Sequence, residues 1–496
     1  MQPWPLFPTI YEINTWAWLT DLSQQASKRL TLSEVPQAEL ERIAAYGFDG
    51  VWLMGVWQRS PGARRIALTY PEWQSAFQQA LPGYTPEDVI GSPYAILEYR
   101  VDSTLGGDDG LAALRSRLQD LGLRLILDFV PNHMALDHPW LETHPERFVQ
   151  GDANKLANES VNYFSVDVGK NQRIFAHGRD PYFEGWPDTI QLDYRAAATR
   201  RAMADELLSI AARCDGVRCD MSMLLVHDVF LHTWSGQFDP PAAEFWPAAM
   251  TDIKAKYPDF LTMAEVYWDM EWQMQQQGFG YTYDKHFYDR LLHENGDSVR
   301  QHLRAGLDYQ QHLARFIENH DEPRAAKEFG IERSKVAAVL SLTLPGLRLV
   351  HEGQIEGKRV KFPVHLGRRP FEEPEGGLDD FYRRLLKSLR HPIFHNGEWQ
   401  LMEIKPAWDN NFSFQNIVAH RWKLGEQVRI IITNLSDEPA QSQIMIAMPG
   451  LAGREWLLCD LLNETQYQRS GDEILNKGLY VELQGYGYHL FEILSL

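Results

Sequence analysis

The sequence predicts a (β/α)8 barrel, the TIM-barrel class of α/β fold, followed by a smaller all-β domain, and three observations lead to this. The chain has 496 residues, enough for a large barrel with an accessory domain. Short apolar segments alternate with longer amphipathic segments up to about residue 390, which is typical of parallel βαβ units. Beyond that point short β segments alternate with turn residues, which indicates a sandwich of antiparallel sheets.

Each predicted barrel strand is a short apolar run bounded by polar or turn residues. The strands are predicted at residues 9–14, 50–54, 124–130, 216–220, 260–265, 280–283, 315–318 and 347–351. Helices are predicted at residues 34–46, 111–121, 198–213, 244–257, 270–277, 299–314, 335–344 and 379–390, and an irregular segment at 55–101. Eight strands alternating with helices predict a closed barrel whose functional side chains come from the C-terminal strand ends.

Two regions interrupt the alternation and set the predicted domain boundaries. Residues 134–190 are too long for a simple βα loop and are predicted to form a small inserted domain. Residues 396–496 are predicted to form the C-terminal β-sandwich, with strands that include 428–434 and 443–447. The barrel would then consist of residues 1–133 and 191–395.

Composition and charge exclude several classes of partner. A net charge of -19 argues against binding nucleic acid. No apolar stretch reaches the ~20 residues of a membrane span, and residues 1–8 lack the basic and apolar regions of a secretory signal. The three cysteines, Cys214, Cys219 and Cys459, have no disulfide or metal spacing. We therefore expect a soluble cytoplasmic protein without a nucleic-acid or membrane partner, and its oligomeric state stays open.

Residues 216–220 carry the first candidate site. Arg218 and Asp220 lie two residues apart on a predicted strand, so their side chains leave the same face. A neighbouring arginine lowers the pKa of a carboxyl and keeps it ionised. An ionised carboxylate at a strand end suits a nucleophile. By itself, the pair is equally compatible with a structural ion pair.

Three more strand ends are unusually polar: residues 128–133, 264–268 and 316–321. A barrel would bring all of these ends to one pocket, although they are distant in sequence. Burying carboxylates, an arginine and histidines costs free energy, so their presence together at these strand ends indicates a functional site. A pair of carboxylates that flanks a bond is what glycoside cleavage through an oxocarbenium-like transition state requires.

Four of these segments resemble the motifs of a known family. Residues 128–133, 216–220, 264–266 and 318–321 are similar, in this order, to the four motifs of the α-amylase family of glycoside hydrolases and transglycosidases, glycoside hydrolase family 13. The resemblance extends from the first strand to the C-terminal β domain. It implies a retaining mechanism that proceeds through a covalent glycosyl-enzyme.

The resemblance also implies a role for each site residue. Asp220 would be the nucleophile, Glu265 the general acid/base, and Asp321 a third acid that binds sugar hydroxyls and favours ring distortion. Arg218 would orient Asp220, and Tyr94 would stack against the sugar ring. The implied substrate-binding residues are Tyr94, His133, Arg218, His320 and Arg324. Asp128 and Asn132 are interpreted as structural residues.

Two departures from the family pattern bear on the substrate. Many starch-degrading members carry a lysine and a histidine that hold the leaving-group sugars, at the places of Met223 and Leu224 here. This argues against an endo-acting amylase on long starch. Arg324 resembles an arginine that closes the pocket in exo-acting relatives, but its usual aspartate partner would lie at Gly91. Arg324 is equally compatible with a surface salt bridge to Glu322 or Glu328.

Calcium is the one cofactor that the resemblance raises. Family members that bind calcium use an asparagine like Asn132 and acidic oxygens of the inserted segment. Residues 189–194 resemble the motif that supplies a ligand, but Gln191 stands where an aspartate is expected. Because calcium prefers several anionic oxygens, we predict neither a metal nor another cofactor.

The combined prediction is a glycoside hydrolase of the α-amylase or α-glucosidase type that cleaves short α-glucans or other small α-glucosides. A transglycosidase of the same family, either a glucosyltransferase or a phosphorylase, is the main alternative. A non-catalytic binding protein with the same barrel is a third possibility, but Asp220, Glu265 and Asp321 are all present, which argues against it.

Overall fold

The computed structural model describes residues 3–234, 243–446, 448 and 450–496, and within them eight parallel strands close into a barrel. The strands are β1 (Thr9–Asn14), β2 (Gly50–Met54), β3 (Arg124–Phe129), β4 (Gly216–Cys219), β5 (Leu261–Ala264), β6 (Tyr281–Tyr283), β7 (Leu313–Arg315) and β8 (Leu347–His351). Each strand pairs with its neighbour in chain order, and β8 pairs with β1. The predicted barrel is confirmed.

The barrel strands are buried on both faces because side chains fill the interior and helices cover the exterior. All five residues of β2 and all six of β1 are buried. The register of β3 and β4 places Arg218 beside Asp128 and Cys219 beside Phe129. This register brings charged residues of neighbouring strands to the same level of the barrel.

Helices surround the barrel largely where the periodicity predicts them. The longer ones are Thr15–Ala26, Gln37–Ala45, Gly107–Asp120, Ala197–Ala211, Trp246–Lys256, Lys285–His293, Gly296–His302, Ile331–Thr343 and Leu378–Leu389, with a shorter helix at Glu271–Gln276. Thr15–Ala26 was not predicted. It begins directly after β1, where the Asn14 side chain accepts a hydrogen bond from the Ala17 amide (3.3 Å) and caps the first turn.

The segment 55–101, predicted to be irregular, is more ordered than expected. It contains the helices Pro61–Ala67 and Pro71–Ala80. Each begins with a proline, which suits the first helical position because no amide hydrogen is needed there. Trp57–Arg59 and Ile96–Val101 pair as an antiparallel ribbon. Helices of seven and ten residues are too short for their periodicity to stand out in the sequence.

The predicted helix 299–314 and strand 315–318 are wrong in their bounds. Helices Gly296–His302 and Leu307–Gln310 occupy this region, and Gly306 between them is extended (φ -56°, ψ 149°). β7 follows at once, and pairing with β8 ends at Arg315. Residues 316–321 therefore form the loop after β7, and their side chains are not restricted to the alternating directions of a strand.

The region after β3 contains the inserted segment. His133–Ala135 pairs antiparallel with Thr189–Gln191, and Tyr163–Val168 pairs with Asn171–Ala176 as a hairpin. The short helices Trp140–Thr143 and Ala153–Asn158 lie between these strands in the chain. The boundaries 134–190 and 396–496 stay predictions.

The C-terminal region is a sandwich of two antiparallel sheets, as predicted. Its six-stranded sheet contains Glu398–Leu401, Ile417–Leu424, Gln427–Asn434, Tyr488–Ser495, Glu455–Asp460 and Gln466–Ser470, and its three-stranded sheet contains Ile404–Pro406, Ala440–Ile444 and Leu479–Leu483. The strand predicted at 428–434 is confirmed. The one predicted at 443–447 lies earlier, at Ala440–Ile444, and its last predicted position, 447, is outside the described residues. One apolar cluster joins both sheets.

No helix within the described residues is long and apolar enough to cross a membrane. The cytoplasmic location and the absence of a nucleic-acid partner stay predictions.

Candidate active site

One arginine lies near all three acids that the sequence singles out. Arg218 is fully buried at the end of β4, and its Nη1 lies 2.7 Å from Oδ1 of Asp220. Its Nη2 lies 2.7 Å from Oε2 of Glu265, which follows β5, and 3.8 Å from Oδ2 of Asp321 in the loop after β7. The predicted convergence of these strand ends is therefore present.

Aromatic rings and polar groups hold the Arg218 guanidinium in place. It lies 5.3 Å from the ring centroids of Trp52 and Tyr94 and 5.7 Å from that of Tyr283. Nε donates a hydrogen bond to the Tyr283 hydroxyl (3.3 Å), and Asp128 Oδ1 lies 4.0 Å from Nη1. Burial opposes the charge, but Glu265 and the other nearby acids raise the pKa of Arg218 well above its ordinary value.

Glu265 has hydrogen-bond donors on both carboxylate oxygens. The Tyr267 hydroxyl donates to Oε1 (2.8 Å), and the amide of Met221 donates to Oε2 (2.7 Å). Met221 has a left-handed backbone (φ 41°), which directs its amide across to β5. Residues that follow β4 and residues that follow β5 therefore both hold the Glu265 carboxylate in position.

The carboxyl of Asp220 has a strongly raised pKa. Burial and the neighbouring Glu265 raise the pKa of Asp220 to about 8, whereas Arg218 acts to lower it. Arg218 therefore acts in the expected direction, but the expectation that it holds this pKa below its usual value is wrong because burial outweighs it.

A second cluster lies on the other side of Arg218, around His320. Its Nδ1 lies 2.5 Å from Glu12 Oε1 of β1, and its Nε2 lies 3.0 Å from Asp321 Oδ2 and 2.6 Å from the Tyr94 hydroxyl. Burial alone would lower the pKa of His320, but Asp321 and Glu12 raise it to about 10. Burial likewise opposes the charge of Asp321, yet His320 and Arg218 hold the pKa of Asp321 well below its ordinary value. His320 therefore carries a positive charge at neutral pH and lies between Asp321 and Glu12.

Tyr94 and His133 complete the wall of the pocket. The Tyr94 ring stacks on that of His320 at 5.5 Å and 27°. His133 is buried against the Tyr94 backbone, and its ring lies 5.0 Å from that of Trp186. Burial lowers the pKa of His133 to about 3, so this imidazole is neutral and can either donate or accept a hydrogen bond.

Comparison with known proteins identifies the family. A family model of the α-amylase catalytic domain matches residues 37–362. The chain belongs to the α-amylase family. The predicted resemblance is confirmed.

Relatives and solved structures agree with this assignment. Alpha-amylase MalA of Haloarcula japonica is 21% identical over 411 residues, which cover 81% of this chain and 52% of MalA. An alpha-1,4-glucan:maltose-1-phosphate maltosyltransferase of Arcanobacterium haemolyticum is 30% identical over 235 residues, which cover 46% of this chain and 27% of that protein. The chain thus spans about half the length of MalA. The crystal structure of the maltogenic alpha-amylase AmyB from Thermotoga neapolitana has a TM-score of 0.69, 19% identity and 99% coverage of both chains.

Arg324 is buried and contacts residues around the end of β8. Its Nη1 lies 2.6 Å from Glu318 Oε1, 2.7 Å from the Glu352 carbonyl and 2.9 Å from His351 Nδ1. The alternative of a surface salt bridge to the acid two before it or four after it in the chain is therefore wrong, since the side chain is buried. Arg324 lines a small cavity together with His320, and a role in substrate binding stays a prediction.

The residues that would hold calcium in this family do not fit the ion here. Gln191 Nε2 donates hydrogen bonds to the carbonyl and Oδ1 of Asn132 (2.9 and 3.0 Å) and to the carbonyl of Leu192 (3.1 Å). An amide donor thus lies among the oxygens that would coordinate a cation. Within the part of the chain that the structure describes, no group of three or more His, Cys, Asp or Glu could hold a metal ion.

The structure also reveals site residues that sequence reasoning missed. Glu12 is a carboxylate between the apolar side chains of Tyr11 and Ile13 in a buried barrel strand, and this is the signal that could have identified it. Tyr283 likewise places a polar group, its hydroxyl, at the end of a barrel strand, β6. Lys361 donates a hydrogen bond to the Asp321 carbonyl, but no strand-end pattern marks it.

Proposed function

We propose that this protein is a retaining enzyme that cleaves α-glucosidic bonds in short α-glucans. The observation that carries the proposal is the Arg218 guanidinium bound to both Asp220 and Glu265. Retaining glycosidases hold their two carboxyl groups about 5–5.5 Å apart, whereas inverting enzymes hold them ~6.5–9.5 Å apart. A single guanidinium that binds both carboxylates favours the shorter separation.

In the proposed mechanism Glu265 is the general acid and Asp220 is the nucleophile. Glu265 gives a proton to the leaving-group oxygen while Asp220 attacks the anomeric carbon, so that the glycosidic bond breaks and an ester to Asp220 forms. Glu265 then takes a proton from water, whose oxygen attacks the same carbon and releases Asp220. Two inversions give net retention.

Asp321, His320 and Tyr94 would hold the sugar ring that reacts. Asp321 is 43% exposed, so its free oxygen surface is available to sugar hydroxyls, while the imidazolium of His320 keeps it ionised. A negative carboxylate close to the ring also favours the positive charge that develops in the transition state. Tyr94 is half-buried and would stack on the ring.

The preference for short substrates is supported by the segment after Asp220. Met223 and Leu224, in the turn Ser222–Leu225, are buried among apolar side chains. They therefore offer no polar group to leaving-group sugars. The enzyme is proposed to work in the cytoplasm without calcium.

A transglycosidase is the second candidate, because a maltosyltransferase is among the relatives at 30% identity. Transfer and hydrolysis share the first half-reaction and differ in whether a sugar, phosphate or water attacks the glycosyl-enzyme. A non-catalytic binding protein is disfavoured because the acids are held in a connected network.

A product profile on maltose, maltotriose, sucrose and trehalose, with and without phosphate, tests the proposal. Net release of free glucose units supports hydrolysis, whereas new oligosaccharides or a phosphorylated sugar support transfer. Asp220→Asn should reduce kcat by at least about 1,000-fold on the best substrate, since the neutral amide is a poor nucleophile. Unchanged turnover in this variant would contradict the mechanism, and no activity on any α-glucoside would contradict the substrate class.

A further inference from the structure

The loop after β7 carries His320 and Asp321, but strand pairing does not fix its course. Pairing between β7 and β8 ends at Arg315, and residues 316–321 follow outside the sheet. Functional side chains on a loop need a rigid scaffold that holds the loop in place. The position of Asp321 therefore depends on the contacts that anchor this loop.

A buried ion pair closes the loop on itself. Arg324 Nη1 lies 2.6 Å from Glu318 Oε1, and Glu318 Oε2 accepts a hydrogen bond from the Ala325 amide (2.7 Å). Glu318 is fully buried, and Arg324 is only 4% exposed. Burial opposes the charge of Glu318, but Arg324 and His351 hold its pKa below its ordinary value, so the pair is ionised at neutral pH. The two ends of the loop are thus tied together, and Asp321 lies midway between them.

The Arg324 guanidinium also anchors the closed loop to the end of β8. Its Nη1 donates a hydrogen bond to the carbonyl of Glu352 (2.7 Å) and lies 2.9 Å from His351 Nδ1, and its Nε donates to the carbonyl of Val360 (3.3 Å). A guanidinium presents five donors in a fixed, planar arrangement, so a single side chain can hold several acceptors at once. The loop after β7 is therefore fixed against both β8 and the loop that follows β8.

Within the closed loop, short contacts direct Asp321 toward the reacting groups. Asn319 Oδ1 accepts hydrogen bonds from the amides of Asp321 and Glu322 (both 2.8 Å), which defines a tight turn. Asp321 Oδ2 then lies 3.0 Å from His320 Nε2 and 3.8 Å from Arg218 Nη2. A misplacement of about 1 Å in a site of this kind can lower the rate on the order of 100-fold. The anchoring of the loop is thus expected to matter for catalysis.

We propose that Glu318 and Arg324 are positioning residues, which hold Asp321 against His320 and Arg218 in the arrangement that the reaction needs. Both act through the loop backbone and not through contact with the sugar. A buried ion pair adds little net stability compared with apolar side chains of the same size, so stability alone does not account for this pair. The inference rests on the proposed function and deepens it.

The first test separates positioning from simple stabilisation. Arg324→Gln leaves the buried Glu318 charge unpaired and should lower the melting temperature, whereas the neutral double variant Glu318→Gln/Arg324→Gln should recover most of this loss. Its kcat on the best α-glucoside should nevertheless stay about 10- to 100-fold below that of the wild type, because two amides do not fix Asp321 as the ion pair does. A double variant that regains both stability and kcat would overturn the inference. Arg429→Gln, which breaks a remote ion pair to Glu492 (2.6 Å), is the control and should keep wild-type kcat.

The second test asks whether the pair acts through Asp321. With α-glucosyl fluoride as an activated substrate, the neutral double variant should lower kcat/KM in the wild-type background. In an Asp321→Asn background the same two substitutions should change kcat/KM by less than about twofold, because the group that they position has already lost its charge. If Arg324 bound the sugar directly, the loss would be equal in both backgrounds, and this result would contradict the inference.

The third test does not depend on catalysis. Burial lowers the pKa of His320, but Asp321 and Glu12 raise it to about 10. Followed by NMR of isotope-labelled histidine, this pKa should fall in the neutral double variant, where Asp321 moves away, and should not change in Arg429→Gln. An unchanged pKa in the double variant would show that Asp321 keeps its place without the ion pair. If the wild type cleaves no α-glucoside, the proposed function fails, and this titration still decides whether the pair positions Asp321.

Discussion

At the scale of single residues, the site contains fewer cationic side chains than acidic ones. Arg218 serves Asp220 and Glu265, and His320 serves Asp321 and Glu12. The first pair shares one arginine, whereas the second pair lies on both sides of the His320 imidazolium. Burial strengthens these interactions because nearby charges are poorly screened there.

The raised pKa of Asp220 predicts the acid side of the pH profile. Because burial and Glu265 raise the pKa of Asp220 to about 8, kcat/KM for a short α-glucoside should rise as the pH approaches about 8 and the nucleophile loses its proton. Glu265→Gln removes the acid beside Asp220, so in this variant, assayed with α-glucosyl fluoride, which needs no proton donor, the rise should lie at a lower pH than in the wild type. A rise that stays at the same pH in the variant would show that Glu265 does not raise the pKa of Asp220.

Glu12 is predicted to act as a positioning residue through His320. In Glu12→Gln the imidazole loses one of its two carboxylates, so its pKa should fall from about 10 and activity should decline at a lower alkaline pH than in the wild type. We expect kcat to fall about tenfold or more with a smaller change in KM.

Stability gives an independent readout of the same contact. A histidine whose pKa is raised by folding stabilises the protein fully below its unfolded pKa of about 6.5 and loses this contribution as pH rises through the folded value of about 10. The difference in melting temperature between wild type and Glu12→Gln should therefore be larger at pH 6 than at pH 10. An equal difference at both pH values would contradict a charged His320.

At the scale of elements, the loops after the strands carry the features that distinguish this chain within its family. The strands His133–Ala135 and Thr189–Gln191 join the inserted segment to the barrel, and the Gln191 amide ties their ends together. The N–H group of the Gln191 side chain occupies the position among these oxygens that a bound cation would need. The loop after β5 similarly carries the strained Trp268 toward Tyr182.

The Gln191 contacts predict a calcium-independent enzyme. Chelation with EDTA should leave the wild-type melting temperature and kcat unchanged. Gln191→Asp should lower stability by about 3 kcal/mol or more, because it removes the donor and buries a charge beside carbonyl oxygens. Added calcium should recover part of this loss in the variant, and not affect the wild type. A wild-type protein that melts earlier in EDTA would contradict the prediction.

At the scale of the whole molecule, the barrel and the C-terminal sandwich share one core. Trp422 is fully buried, donates a hydrogen bond to the Thr343 carbonyl (2.6 Å), and its ring lies 5.5 Å from that of Phe7 and 5.9 Å from that of Phe394. Arg300 of the barrel donates to the Gln415 carbonyl (2.9 Å). The second domain is therefore bound to the barrel by apolar packing as well as hydrogen bonds.

This interface predicts a single cooperative unfolding transition for both domains. Trp422→Ala should destabilise the whole chain by about 3–5 kcal/mol because it opens a cavity between them. KM of the folded variant should be unchanged, since the mutation lies in the interface and not among the site residues. Calorimetry that resolves two well-separated transitions in the wild type would contradict the shared core.

The sequence by itself determined the barrel, its order of strands and which three acids come together beside Arg218. Burial periodicity is a local property, and Asp220, Glu265 and Asp321 each lie in a short polar motif after an apolar segment, whereas Glu12 lies in no such motif. The sequence did not predict segments with weak periodicity, such as the short helices of 55–101 and the shifted start of β7.

Only the tertiary structure decided how these groups act on each other. Glu12 and His320 are 308 positions apart, and the raised pKa of Asp220 comes from burial and from Glu265, which follows another strand. The meeting of Trp268 with Tyr182 likewise joins two loops that no local pattern connects. Such contacts depend on which strand ends converge and on their register, and the charge of a buried group depends on all its neighbours at once. Local sequence patterns contain neither kind of information.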